Sequence, residues 1–122
     1  LEDKMAAPNI VNVTTIFGKS TYANLTTVYS NVITNGSTSG NVIKVNEITI
    51  SNYTSAGVSC NVQVGRGSSL FFIVGNASIP ASSTLVVLAK DTNLYLEEGD
   101  YIQANATANV SAHLVSSYEV IY

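Results

Sequence analysis

Charge is scarce in this chain: only 11% of its 122 residues are Asp, Glu, Lys or Arg, less than half of the usual ~25%. The five cations, Lys4, Lys19, Lys44, Arg66 and Lys90, are scattered, and the net charge is −3. A phosphate backbone is held by clustered cations, so nucleic acid is not an expected partner. Tryptophan is absent, and cysteine, methionine and histidine each occur once. A single cysteine, Cys60, excludes an intrachain disulfide, so stability must come from packing or from association with other copies. One histidine and one cysteine fall short of a tetrahedral zinc set, and neither a metal nor a cofactor is expected. The lone His113 leaves few ways to assemble a nucleophile, a base and an orienting group, so no catalytic residues are assigned. Long apolar runs are missing too. Leu70-Phe71-Phe72-Ile73-Val74, the longest, has strand length and not the ~18 residues of a membrane helix, so no membrane partner is expected. The start of the chain has no apolar stretch of signal-peptide type. Leu1-Glu2-Asp3-Lys4 is read as a cloning remnant before a natural start at Met5 or Ala6, residues 1–8 as a tail, and 9–122 as one β-sandwich domain.

What fills the sequence is Asn, Ser and Thr, 13, 15 and 12 of them. Their short polar groups keep a surface wet without charge and suit strands and turns better than helix interiors. Alternation with period two recurs along the chain. Val58, Cys60, Val62 and Val64 face one way while Ser59, Asn61 and Gln63 face the other, which makes Cys60 a buried small hydrophobe. Residues 70–74 are apolar on both faces, so that strand is expected to be central or covered by another subunit. A strand is read from residues 10 and 11 to 16, stopping at Gly18, and a second over 25–33. Between residues 42 and 53 the apolar parity changes, from Ile43 and Val45 to Ile48 and Ile50, which predicts a β-bulge at Asn46 or Glu47. Further strands are read over 85–89, 94–96, 101–107 and 112–122, and a single helical turn at most over 79–83. Eight or nine strands at this spacing predict an all-β, antiparallel two-sheet β-sandwich, jelly-roll or immunoglobulin-like.

Chemistry-bearing motifs are few. Four carboxylates fall between Lys90 and Asp100, a stretch weighed for calcium. Its spacing is not that of an EF-hand. The preferred reading is a charged turn, Glu97-Glu98-Gly99-Asp100, in which Gly99 takes a positive φ and Asp100 accepts backbone hydrogen bonds. Gly65-Arg66-Gly67 lacks the Lys-Ser or Lys-Thr of a phosphate loop and reads as a hairpin turn. Seven Asn-x-Ser/Thr sequons occur, at Asn12, Asn24, Asn35, Asn52, Asn76, Asn105 and Asn109, against about three expected from composition, and glycosylation is the minor reading. Seven tyrosines fall mostly in or beside predicted strands, either as interface residues or as sheet-surface residues chosen for β propensity.

Three segments carry a resemblance: Val13-Thr14-Thr15-Ile16-Phe17-Gly18-Lys19, the 90–100 stretch, and Ser116-Ser117-Tyr118-Glu119-Val120-Ile121. Together they resemble the small all-β virion proteins of tailed phages, particularly marine and cyanobacterial ones. Leu96-Glu97-Glu98-Gly99-Asp100 is also similar to the Leu-x-x-Gly-Asp strand start of trimeric jelly-roll domains. The resemblance implies a non-enzymatic virion part, such as a capsid decoration protein or a neck or tail component. Its partners would be further copies, a trimer being favoured, and other virion proteins. Phe71, Phe72, Tyr95, Tyr101, Tyr118 and Tyr122 are the candidate interface residues. The alternative is a glycan- or receptor-binding module, which a cluster of aromatic and amide side chains would distinguish.

Overall fold

A computed structural model describes residues 15–109 and 111–122. The expected tail, the strand residues before 15 and the Asn12 sequon lie outside the described residues. Nine strands follow in order: β1 (Ile16–Leu25), β2 (Ser30–Thr34), β3 (Val42–Asn52), β4 (Val58–Arg66), β5 (Ser69–Ile79), β6 (Thr84–Leu88), β7 (Leu94–Leu96), β8 (Asp100–Ala106) and β9 (Ala112–Ile121). The pairings are nested and antiparallel, β4 with β5, β3 with β6, β2 with β8 and β1 with β9. Such nesting is that of one long hairpin ribbon. Rolling the ribbon brings β9 onto β3 and β8 onto β4. The result is two sheets, ordered β1-β9-β3-β6, with β7 also on β3, and β2-β8-β4-β5. This strand order decides between the two expected layouts in favour of the jelly roll.

The alternating residues become the layer between the sheets. Val45, Ile48 and Ile50 of β3 and Leu114 of β9 meet Cys60 and Val62 of β4 and Ile102 and Ala104 of β8, all fully buried. Burial also pushes the Cys60 thiol above its ordinary pKa, which keeps it protonated and inert. The change of parity in β3 is absorbed where expected. Val45 pairs with Tyr118 but Glu47 pairs with Ser117, leaving Asn46 as the extra residue, and Ser116 Oγ donates to the Glu47 carbonyl at 2.8 Å. Both sides of the bulge therefore keep their apolar residues inward.

Two readings need correction: where β1 ends, and the second strand, read over 25–33 but observed as β2 only from Ser30 to Thr34. β1 does not stop at Gly18 but runs through it to Leu25, with Gly18 paired to Glu119. An edge strand tolerates a glycine there, and the break falls later, where the Thr26 hydroxyl bonds to the backbone of Val28 and turns the chain. Of the two places expected for the doubly apolar strand, the central one is excluded, since β5 is an edge of its sheet with Phe71 60% and Phe72 61% exposed, and cover by another subunit remains as the alternative. Residues 79–83 form one turn closed by Ser83 N–H donating to the Pro80 carbonyl, no more than the single turn expected there. The one 3₁₀ turn among the described residues is Lys90–Thr92.

Candidate interaction surfaces

The charged turn is a structural clamp. Gly99 has φ 87°, and Asp100 accepts the Glu97 N–H at 2.9 Å, both as the sequence predicts. The Asp100 carboxylate, buried at the start of β8, also receives Arg66 in a two-point contact, Nε to Oδ1 and Nη2 to Oδ2, each at 2.8 Å. Glu97 adds a 3.3 Å contact to the same guanidinium, while Glu98 accepts the Gly40 N–H at 2.7 Å. Asp100 and Glu97 thus share the Arg66 guanidinium, while Glu98 turns away to the Gly40 N–H. Gly65-Arg66-Gly67 is the expected hairpin: Arg66 pairs with Ser69, and Gly67 takes φ 62° in the two-residue connection.

The hydrogen bonds from Arg66 hold the Asp100 carboxyl below its ordinary value of 3.8, outweighing the opposing effect of burial. The unfolded chain therefore takes up this proton first as pH falls. The pair's contribution to stability is whole above the ordinary carboxylate value and is lost as pH drops through the lowered one. Melting temperature should fall on acidification below about pH 4, and Asp100→Asn should flatten that fall. Parallel pH profiles for the two proteins would show that Asp100 does not carry it.

Two sequons are occupied by the fold itself. The Asn35 amide, buried, donates to the carbonyls of Asn41 and Leu96, both at 3.0 Å. Asn52, also buried, donates to the carbonyls of Ala56, Ile79 and Pro80. A glycan on either nitrogen would displace these bonds. His113 lies on the outer face of β9 and stacks on Tyr53 with centroids 4.3 Å apart. Ser51 is its register neighbour on β3, but the Ser51 hydroxyl pairs with Thr84 at 3.1 Å.

The six aromatic candidates separate into groups. Phe71 and Tyr95 share the rim of a cavity of about 280 Å³ that also touches Val64, Leu94 and the Arg66–Asp100 pair. Phe72 and Tyr101 lie instead on the outer face of the β2-β8-β4-β5 sheet, where Phe72 pairs with Gln63 and Tyr101 with Gly65. Tyr118 packs against the core. Tyr122 lies beside Phe17, with ring centroids 6.0 Å apart. No single patch gathers all six.

Sequence reasoning missed the amide rows beside Phe72 and Tyr101. Gln103 donates to Gln63 at 3.2 Å, and Asn61 donates to Asn105 at 3.0 Å, each across the β4/β8 ladder. The signal for one half is present in the alternation, which turns Asn61 and Gln63 away from the valine face. Their partners lie about 40 residues later, and only the register brings them opposite.

No protein-family model and no curated protein matches this chain. Among solved structures, one described as the triple jelly roll fold and turret assembly in an archaeal virus matches 90% of the chain with a TM-score of 0.50 at 16% identity. The chain spans 30% of the length of that protein. A pentameric capsid protein isolated from metagenomic phage sequences matches 93% of this chain and 64% of its own, with a TM-score of 0.38 and 15% identity. Identity this low speaks for architecture alone. The strand order and the archaeal virus structure agree on it: the chain folds as a jelly-roll β-sandwich.

Proposed function

We propose that this chain is a non-enzymatic structural component of a virus particle, of tailed-phage type, that works by forming a closed homo-oligomer and docking to other virion proteins. A capsid decoration, neck or tail position fits this reading, with a trimer as the expected assembly. The observation that carries it is β5, an edge strand of 11 residues that leaves Phe71 exposed beside Tyr95. An open apolar edge invites uncontrolled pairing unless a defined neighbour covers it. Closed symmetry supplies that neighbour, since every copy offers the same strand. Low charge favours the same occupant, because two copies would meet without strong repulsion. The fold likeness to a protein of an archaeal virus turret supports a place in a virus particle.

Light scattering after size exclusion tests the reading. The parent should run as a trimer whose mass does not change with a calcium chelator. Phe71→Asp, which sets a charge on the β5 rim, should run as the 12.8 kDa monomer. A parent that is monomeric at high micromolar concentration would end the assembly reading, and a Phe71→Asp chain of unchanged mass would move the interface off β5.

A further inference from the structure

The outer face of the β2-β8-β4-β5 sheet is built from amides and aromatic rings with no charge among them. Reading across the register, Asn31 lies opposite Gln103, Gln103 opposite Gln63, and Gln63 opposite Phe72. One row away, Tyr101 pairs with Gly65. The Tyr101 ring depends on a glycine. The Tyr101 ring lies over Gly65 so closely that any Cβ there would overlap it, and its hydroxyl donates to the Gly67 carbonyl at 3.3 Å. Phe72 lies beside Gly75, 3.6 Å from where a Cβ would stand, and remains 61% exposed. Gly65 thus lets the Tyr101 ring settle on the sheet one row from Gln63, while Phe72 stands directly across from Gln63 on β5.

Gln63 is only 7% exposed. Its Oε1 accepts from Gln103, yet among the described residues its Nε2 has no acceptor. Nor is that nitrogen sealed off, because no described side-chain polar atom is both buried and unpaired. Gln63 therefore presents a donor at the surface of the sheet, oriented by the bond that its Oε1 accepts from Gln103. The Gln103 Oε1, which accepts from no described side chain, stands in the same row as an acceptor. The nearest cation, Arg66, is already committed to Asp100 and Glu97.

We infer that this face binds a neutral glycan, with a hexopyranose seated between Phe72 and Tyr101. Vicinal hydroxyls on one sugar edge each donate and accept, which matches an amide N–H beside an amide carbonyl. The C–H face of the same ring is apolar and suits an exposed aromatic. Absence of charge selects against phosphorylated or carboxylated ligands, since nothing on the face repays the desolvation of an anion. Attachment of a particle to a surface polysaccharide would follow from many such weak sites acting together.

The test is a titration of the intact protein with the methyl glycosides of glucose, galactose and mannose, with lactose, and with sialyllactose as the anionic comparison. The side-chain NH₂ signals of Gln63 and Gln103 report on it by NMR. At least one neutral sugar should shift them to saturation, and sialyllactose should bind no better than lactose. Phe72→Ala and Gln63→Met should each weaken binding about tenfold with solution mass unchanged, while Phe71→Asp should leave the sugar affinity as it was. Three results would overturn the inference: no saturating shift with any neutral sugar, binding indifferent to both Phe72→Ala and Gln63→Met, or amide signals that move with protein concentration alone. The last would give this face to a second copy. Because Phe71 and Phe72 serve different faces, loss of assembly and loss of sugar binding are read separately.

Discussion

An Asn52→Asp chain should lose about 3 kcal/mol of stability at neutral pH and melt roughly 10 °C or more below the parent. The exchange keeps the shape of the side chain and the half that accepts, where Oδ1 takes the Thr54 N–H at 3.0 Å and the Thr54 hydroxyl at 2.7 Å. It reverses the other half. Nδ2 donates to the carbonyls of Ala56, Ile79 and Pro80 at 2.8, 3.0 and 3.2 Å, and a carboxylate would face those three oxygens with a negative charge. Its pKa in the folded chain would rise, so the deficit should shrink as pH falls and the new carboxyl regains a proton to donate. Thermal melts of both proteins at neutral and acidic pH check this. A loss under about 1 kcal/mol, or one independent of pH, would mean that the amide is solvated rather than enclosed.

Leu96→Ala should cost about 3 kcal/mol as well, by a different route. The Leu96 side chain is fully buried, and β7 holds it opposite Ile43. Truncation would leave a cavity beside the turn that carries Glu97, Gly99 and Asp100. Because the Leu96 carbonyl accepts from the buried Asn35 amide, the strand is tied on both sides and cannot easily collapse into the space. Denaturant unfolding with an unchanged slope should show the full loss. A cost below about 1 kcal/mol would mean that β7 shifts to fill the void.

Much of this fold is legible in local pattern. The bulge at Asn46, the inward Cys60 and the positive φ at Gly99 each follow from residues close in sequence. β7 falls where Leu94 and Leu96 alternate. What the sequence hides is register and neighbourhood. The Phe71-Phe72 run reads the same whether a strand is central or an edge awaiting cover, because its own composition does not say what lies beside it. Gly18 reads as a stop because glycine often punctuates strands, yet the pairing with Glu119 carries β1 through it. Arg66 and Asp100 are each placed in a turn by local reasoning. Their union depends on β4 and β8 lying side by side. The same holds for the candidate surface: Gln63 and Phe72 are visible one at a time, and the amide rows exist only once the ladder is drawn.

Nested pairing also governs how such a chain can find its shape. Closing β1 onto β9 directly would join residues roughly a hundred positions apart, at a high entropic cost for a single loop. The β4–β5 hairpin closes across two residues at Gly67 and Ser68. Each layer formed outward from it, β3 with β6 and then β2 with β8, shortens the loop that the next must close. The ribbon is therefore a zipper whose cheap end is the Gly67 hairpin, and whose last seam, Ile16 against Ile121, is where unfolding begins at the least cost.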